Sequence, residues 1–154
     1  MEQFKQYIDE IKDFPKEGIG FKDINPIYKA PKIWKELMLP LEKQINTIKP
    51  DYIAGIESRG FIAASALAFK LDIGFIPIRK PDKLPGDLIG INYKLEYGED
   101  RLEIQKNLIG KDNKIIVMDD LLATGGTACA AGNLIREAGG DLIGYAFIVE
   151  LTKL

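Results

Sequence analysis

Two adjacent carboxylates, Asp119 and Asp120, follow an apolar run, Ile115-Ile116-Val117-Met118, and precede Leu121-Leu122-Ala123-Thr124-Gly125-Gly126-Thr127. The run reads as a buried strand, and its C-terminal end is where open α/β sheets bind ligands. The small residues after it form a turn that opens a helix. Free backbone amides at that helix start, with the hydroxyls of Thr124 and Thr127, can cradle a phosphate without any lysine. The Walker lysine is missing, which disfavours a nucleoside-triphosphate loop. Paired carboxylates are unsuited to gripping phosphate, but they suit the vicinal hydroxyls of a ribose or a magnesium ion. The parts together fit a ribose 5-phosphate. Thr-Gly-Gly-Thr alone reads equally well as a plain strand-to-helix turn; the whole pattern from Ile115 to Thr127 carries the chemistry.

A second strand end passes into a helix at Ala54-Gly55-Ile56-Glu57-Ser58-Arg59-Gly60-Phe61, where backbone amides and Arg59 offer a site for another anion. Arg79, Lys80 and Lys83 lie in Ile78-Arg79-Lys80-Pro81-Asp82-Lys83-Leu84-Pro85-Gly86. By themselves these cations are an ordinary solvated run. Next to a pyrophosphate they acquire a purpose.

These residues need a sheet to position them. The chain has 154 residues with 46% hydrophobic content, enough for one domain, residues 1–154, around a single core. Twenty-one basic against 23 acidic residues give a net charge of −2, which argues against a nucleic-acid partner. With no histidine and one cysteine, Cys129, neither a Ser-His triad, a Cys-His zinc site nor an intrachain disulfide can be built. The start of the chain lacks the pattern of a signal peptide and no apolar stretch reaches membrane-span length, so a cytoplasmic location is expected.

Phe4, Ile8 and Ile11 recur at helical spacing and predict a helix over residues 3–12, followed by an ordered apolar loop from Asp13 to Pro26. Pro31 suits a first helical turn, and Pro40 should kink or split the helix that follows. Tyr52–Gly55, Phe75–Arg79, Lys114–Met118 and Leu142–Val149 read as strands, with helices over Gly60–Leu71 and Thr127–Ala138. This alternation predicts parallel α/β units. Lys80 to Gly90 reads as a loop, and two alternating half-buried stretches meet around Gly98. Cys129 falls in the first turn of the last helix and is expected as a small buried packing residue.

The stretch around Asp119–Thr127 resembles the phosphoribosyl pyrophosphate signature of the type I phosphoribosyltransferases. With Phe21-Lys22-Asp23-Ile24, Leu95-Glu96-Tyr97-Gly98 and Leu102-Glu103-Ile104-Gln105-Lys106, the resemblance covers about Phe14 to Thr152 and is closest to the members that act on adenine. It implies a central, mainly parallel sheet flanked by helices, a small N-terminal hood over residues 1–30 and a flexible catalytic loop over residues 80–95. It also implies transfer of a 5-phosphoribosyl group to N9 of adenine, giving AMP and pyrophosphate, with Mg2+ required and a homodimer formed.

Residue by residue, the resemblance gives Asp119 and Asp120 to the ribose hydroxyls and Ala123, Thr124, Gly125, Gly126 and Thr127 to the 5′-phosphate. Arg59, Arg79, Lys80 and Lys83 face the pyrophosphate, one of these cations reaching across a dimer interface. Glu57 and Ser58 flank a peptide that is often cis in the family. Phe21 stacks on adenine opposite Leu121, backbone groups at Gly20 and Lys22 read its edge, Tyr97 adds a substrate contact, and Glu96 meets N7 as the loop closes. Alternation with Tyr93, Leu95 and Tyr97 leaves Glu96 on the polar face of its strand, where pairing with Lys94 is the plainer role. Many relatives carry arginine where Lys22 stands, and they extend further at both ends, which implies a trimmed lid over the base. Two other readings remain open: another nucleobase as acceptor, such as xanthine or hypoxanthine, or a non-catalytic regulator that binds phosphoribosyl pyrophosphate.

Overall fold

Runs of β-branched residues with no charge, such as Ile115-Ile116-Val117, suit only strands covered on both faces. The computed structural model describes residues 2–14, 16–95 and 98–152 and divides into two units, Met1–Lys43 and Gln44–Leu154.

The first unit begins with a short helix α1, Glu2–Lys5, then strands β1, Asp9–Ile11, and β2, Phe21–Asp23, paired antiparallel with Glu10 opposite Lys22. The helix expected over 3–12 therefore ends at Lys5. Three apolar positions in ten residues fit two short elements as well as one helix, and the cross-strand Glu10–Lys22 ion pair at 2.7 Å favours the strand. The segment from Asp13 to Pro26, expected as a loop, thus contributes β2. Its turn is closed by the Gly18 amide on Asp13 Oδ1 at 2.8 Å, with Gly18 at φ +84°. Helix α2, Asn25–Lys29, buries Ile27, and α3 runs from Pro31 to Ile48 across the unit boundary. Pro40 does not split α3, which continues to Ile48 with Pro40 on its exposed side.

The second unit carries strands β3, Tyr52–Ile56, and β4, Gly74–Ile78, joined by helix α4, Gly60–Leu71. An antiparallel hairpin follows, β5, Leu88–Leu95, and β6, Gly98–Gln105, and then β7, Lys114–Leu122, helix α5, Gly126–Glu137, and β8, Asp141–Glu150. The four-stranded sheet has the order β4-β3-β7-β8 and every neighbouring pair is parallel. The chain moves outward from β3 to β4 and in the opposite sense from β7 to β8. The reversal lies between β3 and β7, so the crevice at their C-terminal ends is the topological switch point where such sheets bind ligands.

Two differences from expectation matter for the site. β7 continues to Leu122 because β8 pairs with it as far as Leu122↔Glu150, so Asp119 and Asp120 lie inside the strand rather than beyond its end. Within the 80–95 span, only 80–87 is loop; Leu88 onward alternates Ile89, Ile91 and Tyr93 inward and pairs in continuous register with β6. Arg79 exchanges both backbone hydrogen bonds with Glu103, at 3.0 and 2.8 Å, tying the end of β4 to the hairpin.

One sheet face packs Ala54, Ile56, Val117 and Ile115 against Ala131, Leu134 and Ile135 of α5 and Leu102 and Ile104 of β6. Alternation sends Ile53, Ile116 and Met118 to the other face, where α4 presents Ala63, Ala64, Leu67 and Ala68. The opposite stripe of α4, Ile62, Ser65, Ala66 and Phe69, is exposed, with Phe69 at 91%. No helix among the described residues is long and apolar enough to cross a membrane.

Candidate active site

The turn from β7 into α5 builds the centre of the site. Gly125 caps the helix at φ +84°, a left-handed conformation that suits glycine, and the next residues enter α5 with their amides not yet committed to helical bonds. A cavity of about 200 Å³ is lined by Asp119, Leu121 and the 122–128 turn, with Phe147 on its wall. Thr124, Gly125, Gly126 and Thr127 thus share one pocket with a single carboxylate. Phe147 was not singled out from the sequence. Its signal is register: it stands opposite Asp119 on β8, which brings it to the same face.

The two aspartates have different surroundings. Asp119 is half-buried against the cavity, and its Oδ1 accepts the Asp120 amide at 2.8 Å. Burial, with the Asp120 charge beside it, pushes the Asp119 carboxyl up to about 7 despite that amide and Arg59. Asp120 points to the other face, is 3% exposed, and its Oδ2 lies 2.8 Å from Arg59 Nε. Arg59 is the residue that leads into α4, so Asp120 fixes the guanidinium at the crevice mouth. The expectation that both carboxylates meet ribose thus encounters a structural difference: Asp120 is occupied by an arginine. α4 approaches β7 so closely at Gly60 that a Cβ there would lie 2.8 Å from Asp119 Oδ1 and 2.9 Å from the Met118 carbonyl oxygen.

The peptide between Glu57 and Ser58 is cis. The Glu57 carboxylate receives Arg79 Nε at 3.1 Å, Arg79 Nη2 at 3.3 Å and the Lys80 amide at 2.9 Å. Burial alone would raise Glu57, but the Lys80 amide and the Arg79 guanidinium outweigh it and hold the carboxyl below its ordinary value. Arg79 also donates to the Lys83 carbonyl at 3.1 Å and lies over the Phe61 ring. It therefore ties down the base of the loop with most of its donors. Lys80 pairs with Asp100, and Lys83 is exposed on the loop.

Leu121 is half-buried in the cavity wall. Gly20, Phe21 and Lys22 belong to the first unit: Phe21 packs edge-on against Phe14, the Lys22 side chain is held by Glu10, and a Cβ on Gly20 would lie 3.1 Å from Glu10 Oε1. Glu96 and Tyr97 lie outside the described residues. Cys129 is exposed, not buried as expected, because the helical phase buries Ala128, Ala130 and Ala131 around it.

A parallel sheet whose switch point opens on a glycine turn, a cavity and a carboxylate has the build of an α/β protein that takes a sugar phosphate, and the family model described as phosphoribosyl transferase domain matches residues 23–152. An adenine phosphoribosyltransferase of Prochlorococcus marinus (strain NATL2A) is 75% identical over 154 residues, covering 100% of this chain and 90% of the relative. The enzyme of the same name from Parasynechococcus marenigrum is 53% identical over 148 residues, covering 96% and 86%. Among solved structures, adenine phosphoribosyltransferase from Thermoanaerobacter pseudethanolicus superposes with a TM-score of 0.93 at 44% identity, covering 98% of this chain and 88% of that one. The Saccharomyces cerevisiae enzyme, solved with an imino-altritol bisphosphate and adenine, gives 0.89 at 42% identity, covering 97% and 88%. The chain belongs to the phosphoribosyltransferase family and, within it, to the adenine phosphoribosyltransferases.

Proposed function

We propose that this chain transfers the 5-phosphoribosyl group of phosphoribosyl pyrophosphate to adenine, releasing AMP and pyrophosphate. The observation that carries the proposal is the single cavity in which the Thr124–Thr127 cradle and the Asp119 carboxylate meet at the switch point of the sheet. The cradle amides and threonine hydroxyls hold the 5′-phosphate, and ionised Asp119 accepts a ribose hydroxyl. Arg59, aimed by Asp120, faces the pyrophosphate. Arg79 holds the loop that carries Lys80 and Lys83.

The bond from C1′ to pyrophosphate breaks with its electron pair leaving on oxygen, while adenine N9 forms the new bond to C1′. Positive charge grows on the ribose, so the site must hold the sugar, neutralise the leaving group and exclude water. Glu96 takes the N7 proton of adenine as N9 attacks, which keeps the N9 lone pair available. The base-facing roles of Gly20, Phe21, Lys22 and Tyr97 rest on the resemblance of their motifs.

Among the described residues no group of three or more His, Cys, Asp or Glu side chains could hold a metal ion. Asp119 in the cavity nevertheless fits a Mg2+ ion, which keeps several waters and takes one or two carboxylates with substrate phosphates. When bound, the ion neutralises charge on the departing pyrophosphate. The chain acts in the cytoplasm as a homodimer, and the exposed Ile62–Phe69 stripe of α4 supplies an apolar face for a second copy.

The experiment incubates the protein with phosphoribosyl pyrophosphate, adenine and Mg2+ and identifies products by mass. AMP and pyrophosphate in equal amounts, lost on chelation of the metal, are expected. Donor binding without any AMP would instead make the chain a regulator that binds the sugar pyrophosphate.

A further inference from the structure

Lys80 is expected to face the pyrophosphate, yet its ammonium already has a partner. It forms an ion pair with Asp100 on β6 and a 3.2 Å hydrogen bond to the Tyr93 hydroxyl on β5. Tyr93 and Asp100 stand directly opposite each other in the hairpin, and the Tyr93 hydroxyl donates to Asp100 Oδ2 at 3.2 Å. The same hydroxyl receives a hydrogen bond from Thr127 Oγ1, 3.4 Å away in the phosphate cradle. The cluster therefore runs from the loop cation, through the hairpin, to the wall of the cavity.

The Lys80 backbone is held independently, by its amide on Glu57 at 2.9 Å, so the side chain can change partners without moving it. Burial would lower the Lys80 ammonium, but Asp100 and Tyr93 outweigh it and hold it above its ordinary value. Burial would likewise raise Asp100, but Lys80 and the Arg101 amide hold it below. Both groups are charged at neutral pH, and the charge that Lys80 could show an anion is cancelled by Asp100.

We propose that Asp100 is a built-in counter-ion for Lys80 that competes with the pyrophosphate end of the donor, weakening its grip and easing pyrophosphate release. Asp100 is thus a positioning residue that acts through Lys80. This rests on the phosphoribosyl-transfer reading of the site. The opposite assignment, in which Asp100 improves binding by holding Lys80 in place, fails on magnitude. Freeing one half-exposed side chain costs little, whereas a full negative charge beside a polyanion opposes it directly.

The test is calorimetric titration of the full chain with Mg2+ and inorganic pyrophosphate, and separately with ribose 5-phosphate. Asp100→Asn keeps the shape and a polar partner for Tyr93. It is expected to bind pyrophosphate about threefold to fivefold tighter than the parent, the upper part of the range for such a pair, and ribose 5-phosphate within about 1.5-fold. Asp100→Ala should shift pyrophosphate affinity in the same direction, which covers the case of an Asn variant that does not fold. With Lys80→Met already in place, adding Asp100→Asn should lose most of that gain, since the charge it opposes is gone. Unchanged or weaker pyrophosphate binding in both Asp100 variants, or an equal gain without Lys80, overturns the proposal. A parent protein that binds neither ligand overturns the site reading itself, a result distinct from a parent that binds both and a variant that gains nothing.

Discussion

A strand sends successive side chains to opposite faces, so two adjacent aspartates cannot share one environment. Asp119 faces the cavity with its carboxyl raised to about 7, while Asp120 is buried against Arg59. In the unfolded chain Asp119 ionises near its ordinary 3.8, so between about 4 and 7 the folded protein holds the extra proton. This group therefore penalises folding at high pH, and the penalty fades as pH falls through 7 toward 4. Asp119→Asn removes it. The melting temperature of that variant should exceed the parent's at pH 8, with the margin shrinking by pH 5, while donor turnover is largely lost. A margin that is absent, or that grows on acidification, contradicts the environment assigned to Asp119. Glu96 gives a second test: Glu96→Gln should lower kcat by about a hundredfold or more, since general acid–base help is typically worth 10²–10⁴, while donor affinity holds. Single-turnover rates within about threefold of the parent would remove Glu96 from the chemistry.

At the scale of elements, the site was legible where local signals agreed with tertiary packing. The apolar runs at Ile53 and Ile115 and the Gly125 turn left few alternatives for β3, β7 and the start of α5. Phe4, Ile8 and Ile11 are too few to separate one helix from a helix and a strand, and pairing with β2 decides the matter. The ion pairs Arg59–Asp120, Arg79–Glu57 and Lys80–Asp100 were illegible because each joins residues from different elements. Strand register, unlike composition, could have flagged Phe147.

Two glycines show how element contacts set tolerance. A Cβ at Gly60 would meet the backbone of Met118 and Asp119, which cannot move without shifting β7. A Cβ at Gly20 would lie 3.1 Å from Glu10 Oε1, the end of a side chain 59% exposed. Gly60→Ala should cost about 1–3 kcal/mol of stability, together with activity, as overpacked sites do. Gly20→Ala should cost far less stability, because the exposed end of Glu10 can swing into solvent. Denaturant unfolding of the two variants checks the contrast, and equal losses would contradict it.

For the whole molecule, the outer stripe of α4 leaves Phe69 91% and Ile62 43% exposed on a helix whose other face is fully used. Light scattering should give twice the chain mass of 17.2 kDa, and Phe69→Glu should shift the population toward monomer. A monomer mass in the fully active parent protein would contradict the assembly.

The central claim, that this site joins a phosphoribosyl group to adenine in particular, is tested most directly by kcat/KM for adenine, hypoxanthine and guanine with the donor saturating. On the proposed reading, backbone groups that fit an amino-substituted edge are left unpaired against an oxo edge, at about 1–3 kcal/mol for each buried group. Adenine should be preferred by at least about a hundredfold, which two such mismatches of about 1.4 kcal/mol each supply. Comparable turnover of hypoxanthine would contradict the account.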